Sequence, residues 1–389
     1  MAKNRRFLFV TFDGGGNVPP ALGLVRRLVR RGHEVRVMGN STLAARITDS
    51  GGIFRAFAPA QDWVPSAPGV TAEDEKDRLA KILAFMSSQG LAQDVIAEAE
   101  TADVLVADCM LPAALVAGEK IKVPTAALVH TLYQWWAEGG LRDGAIGDPF
   151  GAAMLPPVNR MRAELGLQPL RADIRLMGQL MDRATLALAA TLEQFDRPLA
   201  APHPNLRYVG PVLDEESPEW EPPGRPLVLV SFSSTYMRQE EALRRALEAL
   251  GNLDVHGVCT LGNALGREAL HAPANVAIHD WLPHSAILPH TAAVVTHAGH
   301  STIMAALAEG VPLVCMPMGR DQHANAERVA TLGLGRDISK DATSAEIREA
   351  LHEVLSNESY RIEARRMAAV ITDLGRGERA VMELEALLG

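Results

Sequence analysis

The stretch that most limits how this chain can fold lies near its N-terminus. An apolar run, Phe7–Phe12, ends in Asp13-Gly14-Gly15-Gly16-Asn17, and Pro19 and Pro20 then introduce a segment with Leu22, Val25, Leu28 and Val29 at helical spacing. Gly32 stops that helix, and Glu34–Met38 supplies a second strand. Strand, glycine loop, helix and strand in so short a length make a parallel crossover unit, because parallel strands need a long return connection and a helix provides it. The alternation continues with a helix near Ser41–Ser50, a strand at Ile53–Phe57, helices between Leu79 and Thr101, and strands at Asp103–Ala107 and Thr125–Val129. The first half is therefore α/β.

Between Asp214 and Arg225 the chain reads D-E-E-S-P-E-W-E-P-P-G-R, which is linker composition. Beyond it the pattern restarts, with strands at Leu227–Phe232, Val294–Thr296 and Leu313–Met316 and helices at Gln239–Leu250, Ser301–Glu309, Gln322–Leu332 and from Ser344 onward. At roughly 150 residues per domain, the 389 residues hold two cores. The expected division is 1–212, a linker 213–225, a second domain 226–373 and a closing helix in 374–389, giving two Rossmann-like domains.

Charge narrows the partners. With 38 Lys+Arg against 47 Asp+Glu, the net charge of −9 argues against a nucleic-acid binder. The early apolar run is too short for a membrane span, which needs about 20 apolar residues. No long apolar region follows Lys3, Arg5 and Arg6 as a signal peptide requires, so the chain reads as cytoplasmic. Cys109, Cys259 and Cys315 sit apart in apolar segments and form neither a disulfide framework nor a zinc pattern.

The glycine loop does not fit a dinucleotide site. Counting G-x-G-x-x-G from Gly14 places the third glycine at Pro19, and the second strand ends in Met38-Gly39-Asn40 without the ribose-binding acid. The second half carries more specific strings: Trp281-Leu282-Pro283-His284, then Thr296-His297-Ala298-Gly299-His300-Ser301-Thr302-Ile303, Gly310-Val311-Pro312 and Asp321-Gln322-His323-Ala324-Asn325-Ala326. A histidine at a strand end, followed by small residues that open a helix, sets an imidazole beside backbone amides, where a diphosphate can sit. Taken singly, the same strings also read as helix capping at 298–302, a core tryptophan at Trp281 and a helix cap at Asp321.

In this order, W-L-P-H, H-A-G-x-x-T, G-V-P and D-Q-x-x-N-A resemble the donor-binding strings of nucleotide-sugar-dependent glycosyltransferases of the GT-B fold, in the natural-product and UDP-glucuronosyltransferase-like family. The likeness spans nearly the whole chain in layout and is more specific in the second half. It implies two Rossmann-like domains facing each other across a cleft, with the acceptor held by the first and the donor by the second. The implied donor residues are Ser233, Ser234 and Thr235 after the first strand of the second domain, Trp281 and His284, His297, Gly299, Ser301 and Thr302 on the diphosphate, and Asp321 and Gln322 on the sugar hydroxyls.

Two departures from the family pattern stand out. Members that use UDP-sugars commonly carry a glutamate for the ribose on the helix after the H-x-G loop, whereas this chain has Ala305. Members that use dTDP-sugars resemble it there, so a dTDP-sugar is favoured, with a UDP-sugar as the other option. In the first domain Asn17 stands where the family places a catalytic histidine, with Asp108 at the position of the aspartate that orients it. An amide cannot take a proton. Three routes remain open: an acceptor acidic enough to ionise alone, Asp13 or Asp108 raised in pKa by burial, or an imidazole from His130. The carboxylates are the favoured route. Asp108 also reads as a plain strand-end acceptor.

Trp63, His130, Trp135 and Trp136, on long glycine-punctuated segments, are the expected acceptor-binding residues, although such aromatics also cover cores. The resemblance implies an inverting, metal-independent transferase without a cofactor, the nucleoside diphosphate sugar being a co-substrate. It moves the sugar to a small phenolic or polyketide-like acceptor. A non-catalytic relative that binds nucleotide-sugar or aglycone, motivated by Asn17, and a nucleotide-sugar epimerase are the alternatives. The sequence leaves the oligomeric state open, a homodimer included.

Overall fold

The computed structural model describes residues 4–62, 80–139, 149–173, 175–197, 201–213, 220–221, 225–233, 237–262 and 270–389. Trp63, Ser234 and Thr235 lie outside them. The chain divides into two compact units, residues 1–212 with 376–389, and residues 213–375.

The first unit holds a parallel sheet of β1 (Arg6–Val10), β2 (Glu34–Gly39), β3 (Ile53–Ala56), β4 (Val104–Asp108), β5 (Thr125–Val129), β6 (Leu186–Ala189) and β7 (Leu206–Tyr208), in the order β3-β2-β1-β4-β5-β6-β7. Side chains alternate across it. Phe7, Phe9, Val104 and Val106 enter one apolar cluster, while Leu8, Val10, Leu105 and Ala107 enter the other. Because helices cover both faces, these strands read as unbroken apolar runs.

The helix Val18–Arg30 starts on Pro19 and Pro20, whose missing N–H and fixed φ cost nothing in a first turn. It ends before Gly32 at φ 86°, a left-handed position that suits glycine. Its face shares a cluster with Ala380, Val381 and Leu384 of the last helix, Glu378–Ala386. Burying Val381 and Leu384 completely contributes about 1.5–3 kcal/mol each. Arg27, almost wholly buried, donates to the Arg376 carbonyl at 3.0 Å and lies 3.5 Å from Glu378.

The second unit holds β8 (Leu227–Ser231), β9 (His256–Thr260), β10 (Val276–His279), β11 (Thr291–Thr296), β12 (Leu313–Cys315) and β13 (Gly335–Asp337), ordered β10-β9-β8-β11-β12-β13 and parallel throughout. Its strand order reverses between β8 and β11, as that of the first unit does between β1 and β4. In open α/β sheets such reversals leave a crevice beyond the carboxyl ends of the strands, where ligands bind. Five strands, β6, β7, β9, β10 and β13, were not visible in the pattern. Among the described residues no helix is long and apolar enough to cross a membrane.

Candidate functional site

In the second unit, the turn after β11 stands at the β8–β11 reversal. His297 is followed by Ala298 at φ 65°, then by Gly299 at φ −63° and ψ 131°, which caps the helix His300–Ala308. A left-handed alanine costs about a kilocalorie or more and persists only where neighbours fix it. Asn325 does so: its Nδ2 donates to the Ala298 carbonyl at 3.0 Å and to Asp321 Oδ2 at 3.1 Å.

Gly299 has a different task, since its φ suits any residue. A Cβ there would lie 2.5 Å from His297 Nε2 and 2.7 Å from Cε1. Only glycine lets the ring fold onto the helix N-terminus, where backbone amides and the positive dipole end favour an anion. Ser301 and Thr302 sit on that first turn. Burial pushes the His297 pKa down to about 4; Asp321 pulls it up and Arg320 adds to the fall, so the ring is neutral at pH 7.

Behind this turn His284 Nε2 lies 3.2 Å from Ser231 Oγ, which accepts from Thr260 Oγ1 at 3.0 Å. Burial lowers the His284 pKa as well. Ser233 is buried, and its carbonyl accepts from Gln239 Nε2 at 2.8 Å. Trp281 is 72% exposed, so the core reading of this residue fails and its ring is open to solvent.

Asp321 occupies the N-cap position of the helix Gln322–Thr331 but makes no side-chain cap bond, which removes its capping role. Gln322 is buried: its Oε1 accepts from the amides of Met318 and Gly319 at 2.8 and 3.2 Å, and its Nε2 meets Met237 Sδ at 3.1 Å. Through these contacts it braces the 318–319 turn.

The first unit gathers a second cluster at its own reversal. Asp108, at the end of β4, is buried and accepts from Asn17 Nδ2 at 2.7 Å, Thr11 Oγ1 at 3.2 Å and the Met110 amide at 2.9 Å. His130, directly after β5, places Nε2 3.1 Å from its Oδ1. Burial would raise the Asp108 pKa, yet His130 and these hydrogen bonds outweigh it and hold the carboxyl below its usual range. The expectation of a carboxylate raised by burial is thus reversed at Asp108, because an imidazole partner stabilises its charge. Burial likewise opposes charge on His130, but Asp108 and Cys109 overcome it and hold its pKa well above the usual value.

Asp13 stands apart from this cluster, its carboxylate accepting from Thr42 Oγ1 at 2.8 Å and its amide donating to Asn40. Asp108, Cys109 and His130 are the one trio among the described residues whose ligand-type atoms all lie within 4.8 Å of one another. Four donors already surround the carboxylate, which leaves little for a cation. Trp136 is buried in the apolar cluster of the first unit, a core position, whereas Trp135 is half-buried and meets it edge-on at 4.3 Å between centroids.

Comparison with known proteins gives these clusters a context. Residues 244–386 match the family described as erythromycin biosynthesis protein CIII-like, C-terminal domain. The chain is 27% identical to 4'-demethylrebeccamycin synthase of Lentzea aerocolonigenes, over 93% of this chain and 94% of that one. Among solved structures it is similar to the calicheamicin glycosyltransferase, at 26% identity and a TM-score of 0.79, covering 100% of this chain and 99% of the other. It also shares the fold of glycosyltransferase VinC in complex with dTDP, at 21% identity and a TM-score of 0.71 over 98% and 99% of the two chains. The non-catalytic and epimerase readings find no support among these relatives. With two parallel α/β sheets like theirs, and likeness to these relatives over nearly its whole length, the chain is a GT-B-fold glycosyltransferase similar to those of natural-product biosynthesis, an enzyme that moves a sugar from a nucleoside diphosphate donor to a small-molecule acceptor.

Proposed function

We propose that the second unit takes a thymidine diphosphate sugar and that the acceptor is phenolic or polyketide-like. The observation that carries the donor reading is the His297–Gly299 turn, which seats an imidazole on a helix N-terminus at the β8–β11 reversal. The diphosphate lies there, while the exposed Trp281 face offers stacking worth about 1–3 kcal/mol in other base-binding proteins. Ala305 supports thymidine: on the helix His300–Ala308 it presents no acceptor for a ribose 2′-hydroxyl, which the deoxy sugar lacks. That a structural neighbour was solved with dTDP agrees with this choice.

In the reaction an acceptor oxygen attacks the anomeric carbon from the side opposite the diphosphate. The C1–O bond to phosphate breaks, and the electron pair leaves with the diphosphate. Helix amides and His297 meet that growing charge, and preorganised donors of this kind are worth about 3–4 kcal/mol each. They supply the electrostatic role that a divalent cation fills elsewhere, which is why we favour a metal-independent step. Thermal shift with dTDP and with UDP tests the proposal. A ligand at 100 times its dissociation constant adds about 2.7 kcal/mol, so dTDP stabilises more than UDP at equal concentration. Equal stabilisation removes the thymidine preference, and none by either removes the donor site.

A further inference from the structure

Asn17 leaves the acceptor's proton without a destination, and the cluster around Asp108 supplies one. We infer that His130 removes that proton, with Asp108 and Asn17 as positioning residues. This rests on the glycosyltransferase reading and names the group that completes it.

The orientation of Asn17 is fixed by its surroundings. Its Nδ2 faces three acceptors, Asp108 Oδ2 at 2.7 Å, the Phe12 carbonyl at 2.8 Å and Thr11 Oγ1 at 3.2 Å, so a flipped amide would set oxygen against oxygen. With both hydrogens turned inward, the amide holds the carboxylate in place and has no basic atom to offer. Asp108 is a poor base for a related reason: its oxygens are shared among Asn17, Thr11, Met110 and His130, all of which favour the anion.

His130 differs on both counts. Nε2 faces Asp108 and the ring also has Cys109 as a hydrogen-bonding neighbour, yet the side chain is 10% exposed where Asp108 is 2% exposed, so the ring is the part of the pair that reaches solvent. It follows β5, which pairs with β4, and therefore stands at the carboxyl edge of the sheet, one strand from the reversal. The first unit has two other histidines. His33 precedes β2 and is bound to Glu385 at 2.9 Å, and His203 precedes β7 and is bound to Asn205 at 2.6 Å. Both lie at the amino edge, the wrong end of the strands for a ligand.

The step balances without a further reagent. As the acceptor oxygen bonds to C1, its O–H bond breaks and the proton passes to Nδ1 of His130. Nε2–H meanwhile donates to Asp108, whose charge steadies the imidazolium, and the proton then returns to solvent. A base held in this way by a carboxylate contributes typically 10²–10⁴-fold. The titratable groups facing the ring are Asp108 and Cys109.

The test uses His130→Gln in the full chain, with dTDP-glucose and UDP-glucose as donors and 4-methoxyphenol and 2,4,6-trichlorophenol as acceptors. His130→Gln should lower kcat/KM for 4-methoxyphenol about 10²–10⁴-fold. Transfer to the readily ionised trichlorophenol should change only a few-fold, and stabilisation by dTDP not at all. In the wild type, kcat/KM for 4-methoxyphenol should rise with pH to a plateau above pH 6.5 but short of the phenol's own ionisation at about 10, and Asp108→Asn should move that midpoint down. Independently of any donor, the imidazole Cε1–H resonance missing from His130→Gln should shift when 4-methoxyphenol is added. If wild type and His130→Gln transfer to 4-methoxyphenol equally, or that resonance stays still, the assignment of His130 is overturned. Wild type that is stabilised by neither dTDP nor UDP would instead overturn the donor reading beneath it.

Discussion

Gly299→Ala tests the seating of the imidazole with a single methyl group. The backbone at φ −63° and ψ 131° accepts alanine, so no dihedral strain enters. The added Cβ starts 2.5 Å from His297 Nε2, whereas ordinary contact begins at 3.4 Å, and the ring has to retreat by the difference. An imidazole donor set about 2.9 Å from a phosphate oxygen would then lie beyond hydrogen-bonding reach. Losing one hydrogen bond to a charged group costs about 1.5–3 kcal/mol, which weakens dTDP binding roughly 10- to 150-fold. Overpacking removes a further 1–3 kcal/mol or so of stability. Calorimetric titration with dTDP measures the first quantity, and a thermal melt confirms that the variant is folded. An unchanged Kd in folded Gly299→Ala refutes the idea that this glycine exists to press the ring toward the diphosphate.

Trp281→Ala should weaken dTDP by about 1–3 kcal/mol with no loss of stability, because the ring is already 72% exposed; an unaltered Kd would exclude stacking. His297 has its pKa depressed from 6.5 to about 4 on folding, so its contribution to stability is complete above pH 6.5 and is lost as pH falls toward 4. The loss amounts to about 3 kcal/mol at 1.36 kcal/mol per pKa unit. Denaturant melts of wild type and His297→Asn should therefore converge in acid, and parallel curves would contradict the burial of that ring. Leu384→Ala, at a fully buried site in the first unit, should cost about 2–5 kcal/mol, and a cost below 1 kcal/mol would mean that the last helix is peripheral to that core.

The sequence disclosed most where strands are buried on both faces. Arg6–Val10, Val104–Asp108 and Leu227–Ser231 are continuous apolar runs, and a turn or helix signal follows each. Two of the edge strands were illegible: Gly335–Asp337 is three residues, two of them charged, and Leu206–Tyr208 has only Leu206 buried, so neither carries a period. At the donor turn the motif letters were readable but not their division of labour. That Gly299 answers to His297, and that Asn325 holds a left-handed Ala298, are contacts between residues whose spacing says nothing about geometry. That the Gln322 Oε1 is held by the amides of Met318 and Gly319 was likewise unreadable, since no pattern reveals which end of an amide the backbone has claimed. The pairing of His130 with Asp108 depends on β4 and β5 being neighbours, a matter of sheet order that the strand sequence alone leaves undetermined.

The last helix completes the core of the first unit, so the second unit is an insertion joined by two peptide crossings, at 212–213 and 375–376. During synthesis the N-terminal layer must wait for residues made some 160 positions after the first crossing before Val381 and Leu384 fill its surface, contrary to the usual order in which an early domain matures first. If the second unit holds the donor as proposed, exchanging donor specificity between relatives would mean transplanting 213–375 as an internal cassette. Splicing on a foreign C-terminal half would bring a mismatched plug for the recipient's own hydrophobic interior.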